Sequence, residues 1–361
     1  MAEGPFMTSR SIRPGVTTNG AFEASASSFS WSENAAYLNI VELASCKNPQ
    51  TLVRRQSRII EAGQFGDETA CGLINPGVLQ RDGFFQVLCR GEPDDSTWLG
   101  DWSKNLATPV WCVLDEDLTV RRHFFLRYTV LPPRFRPEDW RLFEYEGVLL
   151  TNHSIYLENG GQLHCRPGIS MVDLDRQELA LRHTLVPPFE PAREEKNWAL
   201  FSHEGALLCI YSFNPYIVLE INFDTGIPKV VVQTRPVQYE WLGAGGRFIS
   251  NSTNPIVWDD DHYIMFIHDH IDPEWPEQRD RLYMQYAVLI STTSLLPTSI
   301  VPTPLLIGGR ERGRYAGVHY TTSLVNRDNA LYAFYGEGDS HSSVVEFDKR
   351  ILADLLASHQ L

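Results

Sequence analysis

Five times along the chain a short turn is followed by an apolar strand that ends on a polar or small residue. The five segments run over residues 82–90, 146–154, 204–212, 260–268 and 328–336, about 55 to 70 residues apart, and a period of that length constrains the fold more than any single strand does. Three turns, Asp82-Gly83, Glu146-Gly147 and Glu204-Gly205, place a glycine where a tight hairpin requires positive φ. A second short apolar strand precedes each turn, at Pro76–Leu79, Arg141–Tyr145, Trp198–Phe201, Pro255–Trp258 and Thr322–Val325. The spacing leaves room for two more strands per unit, which is the four-stranded blade of a propeller. The expected fold is therefore all-β, a five-bladed β-propeller over residues 31–361. A flexible tail over residues 1–30 and a short C-terminal helix complete the expectation. The tail is rich in Ser, Gly, Ala and Thr, and Ile351, Leu352, Leu355 and Leu356 give the helical spacing over residues 349–359. A β-sandwich or a pair of β domains is the alternative that the irregular spacing leaves open.

Charge and cysteine usage narrow the function. A net charge of −14 without a Lys/Arg run argues against nucleic acid, whose phosphates need a concentrated basic face. Cys46, Cys71, Cys89, Cys112, Cys165 and Cys209 form no C-x-x-C pair and read as buried free thiols. The N-terminal residues lack the apolar core of a secretion signal, and no apolar run approaches the roughly 18 residues of a membrane span. A cytoplasmic protein with no membrane span is the expectation; nothing in the sequence specifies an oligomeric state.

Hairpin geometry converts the repeat into a site. The residue entering the first strand and the residue leaving the second lie side by side, and in a propeller the leading strands surround the axis. The corners so collected are Asn75 with Arg90; Asp139 and Arg141 with His153 and Ser154; Lys196 and Asn197 with Tyr211 and Ser212; Asn254 with His268; and Tyr320 with Tyr335 to Asp339. In Glu138-Asp139-Trp140-Arg141 a carboxyl can act as general acid while the arginine holds an oxyanion bidentately; a capped turn with an internal ion pair is the other reading of the same residues. No metal site is expected: His268-Asp269-His270 lacks a ligand spacing, and Asp259-Asp260-Asp261 is explained by turn chemistry. Gly243 to Gly246 opens no helix and supports no dinucleotide site. Trp98, Trp102, Trp241 and Trp275 read as packing residues, one or two of which would suit stacking on a sugar.

These motifs together resemble glycoside hydrolase family 130, the five-bladed β-mannoside phosphorylases and hydrolases, and related propeller glycosyltransferases. Glu138-Asp139-Trp140-Arg141 resembles the family's E-D-P-R, with Trp140 in place of proline. Asn75-Pro76-Gly77 with Arg90, Glu195-Lys196-Asn197-Trp198, Ile267-His268 and Tyr335-Gly336-Glu337-Gly338-Asp339 resemble its other blade motifs, in order over residues 72–355. The resemblance implies an inverting enzyme with Asp139 as the proton-transfer residue. It implies a phosphate pocket of Arg141, Lys196 and His268, and sugar contacts from Asn75, Arg90, Asn197, Tyr211 and Asp339. It implies a carbohydrate substrate and no cofactor beyond inorganic phosphate or a sugar phosphate as co-substrate. A glycosyltransferase using a nucleotide or phosphate sugar donor is the nearest alternative, because both reactions stabilise a phosphate-bearing sugar. A non-catalytic sugar- or protein-binding propeller is the third.

Overall fold

A computed structural model describes residues 52–93, 107–129, 135–159, 162–237, 249–271, 282–308 and 317–361. The expected tail, Cys46, Gly243 to Gly246 and the tryptophans at 98, 102, 241 and 275 lie outside them. The described chain forms five sheets, antiparallel apart from one added strand, and four of them are built from strands consecutive in sequence. Blade 1 is Gly72–Arg81, Phe84–Glu92, Thr108–Leu114 and Val120–Phe125. Blade 2 is Phe135–Tyr145, Val148–Asn159, Gln162–Asp173 and Glu178–Thr184, with Arg127–Tyr128 added in parallel at its outer edge. Blade 3 is Ala199–His203, Ala206–Phe213, Tyr216–Ile221 and Pro228–Gln233. In blade 4 both the inner strand (Ser250–Asn251, Ile256–Val257) and the outer strand (Pro297–Ile300, Leu306–Ile307) are split around His262–Ile271 and Leu282–Ser291. Blade 5 is His319–Arg327, Ala330–Glu337 and His341–Asp348, and its outermost strand is Val53–Ile60 from the other end of the chain. That pairing brings the two ends of the described chain into one sheet, and the cluster of Ile60, Leu73, Val78, Val325 and Phe334 fills the seam between blades 5 and 1. The all-β five-bladed propeller expected from the repeat is borne out.

Strand alternation explains why blades pack only as a ring. Side chains of successive residues point to opposite faces, so one strand feeds two cores. In the second strand of blade 4, Tyr263, Met265 and Ile267 face blade 3, whereas Ile264 and Phe266 face blade 5. Each of the five hydrophobic clusters fills one seam between neighbouring blades. Cys89, Cys112, Cys165 and Cys209 are buried and free, Cys71 is partly buried, and burial pushes the Cys89 thiol up to about 12. The C-terminal helix, Lys349–Ala357, is capped by the Asp348 carboxylate, which accepts from the backbone N–H of Arg350 (3.0 Å) and Ile351 (3.1 Å). Its Leu352, Leu355 and Leu356 join the seam between blades 4 and 5. No helix among the described residues is long and apolar enough to cross a membrane.

Candidate active site

At the hub, irregular backbone aims polar side chains away from the ladder. The pairing of the first two strands slips between Ile74 and Gly77 in blade 1 and between Glu138 and Arg141 in blade 2. Asn75 and Asp139 sit in those slips at φ 52° and 59°; Asn197 (φ 62°) precedes the inner strand of blade 3, and Asp339 (φ 50°) follows the second strand of blade 5. A bulge releases its residue from the ladder and re-aims the side chain, and Asn and Asp are the non-glycine residues that tolerate left-handed backbone best. Two glycines make the close approach possible. A Cβ on Gly77 would lie 2.3 Å from the Trp140 carbonyl oxygen, and one on Gly336 would lie 2.2 Å from Asn75 Oδ1.

The parts so aimed meet around Arg90. Its Nη1 lies 2.7 Å from Glu138 Oε2 and 3.2 Å from Asp139 Oδ1, and its Nη2 pairs with the fully buried Glu92. Burial works against the charge of Arg90, yet Glu138, Glu92, Asp139 and Asp339 together hold it protonated. Asn75 Nδ2 donates to Asp139 Oδ1 at 2.6 Å. Burial also opposes the charge of Asp139, but Arg90, the Asn75 amide and Arg141 hold its carboxyl below the usual range. The neighbouring Glu138 behaves in the opposite way: burial dominates and pushes it to about 7.

Arg141, Lys196 and His268 form the cationic and imidazole side of the hub. Arg141 is buried, with Nε donating to the Ser252 carbonyl at 2.7 Å and Nη2 to Asn197 Oδ1 at 3.2 Å and to the Tyr320 hydroxyl. Tyr320 passes its own proton to Asn197 Oδ1 at 2.6 Å. Lys196 Nζ donates to the Tyr156 hydroxyl at 3.1 Å and lies 3.6 Å from Glu194. Burial would lower its pKa, but the nearby Glu138 leads a group of acidic neighbours that raises it.

The protonation of His268 follows from its hydrogen bonds. Gln285 Nε2 donates to the His319 carbonyl at 2.8 Å, which turns Gln285 Oε1 toward the Ser252 hydroxyl, 2.7 Å away. Ser252 gives its one proton to that oxygen and so accepts from His268 Nδ1 at 2.8 Å. Burial, with His270, Arg141 and Lys196, pushes His268 down to about 3, so the ring is neutral and Nε2 is an acceptor. The ring stacks on Tyr283 and meets Tyr320 edge-on.

Other corner residues make bonds within and between blades. Asn254 donates to Asn152 Oδ1 (2.8 Å) and accepts from the Leu200 N–H (3.0 Å). His153 bonds Ser170 Oγ at 2.8 Å, and burial pushes it down to about 4. Tyr211 donates to Glu195 Oε1 at 3.2 Å and packs edge-on against Trp198, within blade 3 and its leading loop. Trp140, where the resembled motif has proline, is fully buried in the seam between blades 1 and 2 and donates to the Tyr128 hydroxyl at 2.8 Å. Asp259 accepts from the Asp261 N–H and His262 Nδ1, both at 2.9 Å, as turn chemistry requires. The described residues contain no cluster of three or more His, Cys, Asp or Glu arranged to hold a metal ion. Glu92, Ser252 and Gln285 had no motif to mark them. Only the placement of Glu92 two residues beyond Arg90, on the same face of the strand, signalled any part of this network in the sequence.

The fold has counterparts among solved structures. The chain is similar to the beta-1,2-mannobiose phosphorylase of Listeria innocua, with TM-score 0.59 and 13% identity over 84% of this chain and 100% of that one. It shares their fold. A mannose phosphorylase from Leishmania mexicana superposes with TM-score 0.53 and 14% identity over 84% of this chain and 91% of its own. A GDP-Man-dependent mannosyltransferase from the same organism gives 0.58 and 11% over 86% and 94%. No protein-family model and no curated protein sequence matches the chain.

Proposed function

We propose that this propeller is an inverting carbohydrate-active enzyme that exchanges a glycosidic bond for a glycosyl phosphate. The observation that carries the reading is the placement of the Asp139 carboxyl beside two cations, Arg141 and Lys196, at the hub ends of adjacent blades. An inverting hydrolase needs a second carboxylate across the sugar ring, about 6.5 to 9.5 Å away, to activate water; in a phosphorolytic enzyme the phosphate is itself the nucleophile. Arg141 and Lys196 supply donors for its oxygens, and the Nε2 of His268 accepts from the P–OH of monohydrogen phosphate. Asp139 transfers a proton to or from the glycosidic oxygen, while Asn75, Arg90, Asn197, Tyr211 and Asp339 provide polar groups for sugar hydroxyls. The similarity to phosphorylases supports the reading.

The second reading is transfer from an activated donor. The same cations would hold a nucleotide-sugar diphosphate, and the similarity to a GDP-Man-dependent mannosyltransferase favours it over plain hydrolysis. The deciding experiment offers the purified protein a panel of sugar 1-phosphates with acceptor sugars and measures phosphate release. Release that falls by about 10²–10⁴-fold in Asp139→Asn is the expected result. Silence from the wild type across the panel, with turnover of a nucleotide sugar, would replace phosphorolysis by transfer.

A further inference from the structure

The hub carries one more acid than its bases neutralise. Glu92, Glu138, Asp139 and Asp339 face Arg90, while Lys196 adds a positive charge beside Glu138 and Arg141 adds one beside Asp139. Four buried carboxyls against three cations, of which Lys196 is shared with the exposed Glu194, in a site where His268 is neutral, leave a surplus negative charge that is costly to bury. A bound proton removes it. The hydrogen bonds distinguish Glu138 from Asp139 and Glu92. Asp139 Oδ1 receives two donors, from Asn75 at 2.6 Å and Arg90 at 3.2 Å, and Glu92 pairs with the second arm of Arg90. Glu138 has the single Arg90 contact at 2.7 Å through Oε2.

We propose that Glu138 and Asp139, bridged by the shared Nη1 of Arg90, form a dyad that holds one proton, with Glu138 the positioning residue that stores the proton at rest and Asp139 the group that delivers it. This rests on the phosphorolytic reading above. The opposite shifts of the two carboxyls agree with it, Glu138 upward to about 7 and Asp139 downward. Tyr156 and Cys165, which also face Glu138, are pushed upward by burial and stay protonated, so they leave the charge count unchanged.

The proton balance closes over one turnover. The proton of Glu138 passes to Asp139, leaving Glu138 ionised against Arg90 and Lys196. Asp139 gives it to the glycosidic oxygen as the bond from that oxygen to the anomeric carbon breaks, and an oxygen of monohydrogen phosphate bonds to that carbon. The sugar phosphate leaves the attack as a monoanion and returns one proton to the dyad on becoming the dianion. Nothing is oxidised or reduced.

Infrared spectra of the purified chain test the store without any substrate. The wild type should show a carboxylic-acid C=O stretch that titrates near pH 7. Glu138→Gln should lack that band, and Asp139→Asn should keep it with its titration moved to lower pH, because a neighbouring negative charge is gone. A band that survives Glu138→Gln, or that vanishes at every pH in Asp139→Asn, overturns the dyad. The alkaline limb of phosphate release against pH provides the second readout. It should shift to lower pH in Glu138→Gln, whereas a uniform fall in rate with an unmoved limb would make Glu138 merely structural and overturn the proposal. Absence of phosphate release from the wild type sinks the phosphorolytic reading instead, and the infrared result then stands on its own.

Discussion

The two ends of the inner hairpins use the same backbone conformation for different purposes. At the turns, Asp82-Gly83, Glu146-Gly147 and Glu204-Gly205 all have positive φ at both positions. The reason is local: two residues must reverse a strand, and this turn twist matches the strands it joins. At the hub, Asp339 shares the turn Gly338-Asp339, closed by the Ser340 N–H on the Glu337 carbonyl at 3.1 Å, whereas Asn75, Asp139 and Asn197 also have positive φ with no tight turn to demand it. Their support is tertiary. Thr322 Oγ1 holds the Pro76 carbonyl at 2.8 Å, Ser323 Oγ accepts from the Val78 N–H at 2.9 Å, and Asn251 Nδ2 holds the Asn197 carbonyl at 3.0 Å, each from a neighbouring blade. Left-handed backbone at a non-glycine residue costs about 1–2 kcal/mol, and a cost accepted without a turn marks where a side chain must point.

The largest expected difference between the two regions is in acid. His153 and His268 are buried at the hub with folded pKa values near 4 and 3, against 6.5 unperturbed. A depressed folded pKa contributes stability that is complete above the unfolded value and is lost as pH falls toward the folded one. Each histidine should therefore remove about 1.4 kcal/mol per pH unit between pH 6.5 and its folded pKa. Glu138, raised to about 7, has the opposite sign and stabilises the fold as pH falls from 7 toward 4.5. The two histidines outweigh it, so the denaturant midpoint should drop steeply between pH 6 and 4. His153→Gln, which retains a partner for Ser170, should make the drop shallower; a flat midpoint would show that hub burial is not what opposes acid.

Glycine substitutions sharpen the comparison at intermediate size. Gly77→Ala drives a methyl into the Trp140 carbonyl, beside Asp139, and should cost about 1–3 kcal/mol together with most of the activity. Gly83→Ala meets nothing within 4 Å and bears only its φ of +80°, so about 1–2 kcal/mol and unchanged activity are expected. Thermal melts with phosphate release on the same samples separate the two. Equal activity losses would mean that the hub's spacing is not special.

The smallest expected effect comes from relieving the conformation itself. Glu146→Gly should stabilise by up to about 1 kcal/mol and leave turnover unchanged. Asn197→Gly relieves the same strain but removes the oxygen that holds Arg141 and Tyr320, so turnover should fall while the melting temperature stays within a few degrees. Unchanged turnover in Asn197→Gly would assign that residue to backbone geometry alone.

The fold was legible because its signals are local and repeated. A turn that reverses the chain, an apolar strand of period two and a fixed return distance each act over a few residues, and five repetitions leave few ways to bury ten strand faces. The helix could likewise be read from four apolar positions. Asn75, Asp139, Arg141, Asn197 and His268 could be named because they flank the apolar runs, although all but Asn197 lie within strands that extend past those runs. Their relations could not. Glu138 and Asp139 are adjacent in sequence with similar chemistry, yet Asn75 donates to one and not to the other, and that amide comes from 64 residues away. The tautomer of His268 depends on Ser252, Gln285 and the His319 carbonyl, which share no motif, and its neutral state on burial with His270, Arg141 and Lys196 nearby. Periodicity determined where the backbone goes, because secondary structure is set by neighbours along the chain. Which carboxyl keeps a proton, and which imidazole nitrogen offers a lone pair, were decided by ring closure, because burial and partners from other blades set the free energy of each charge.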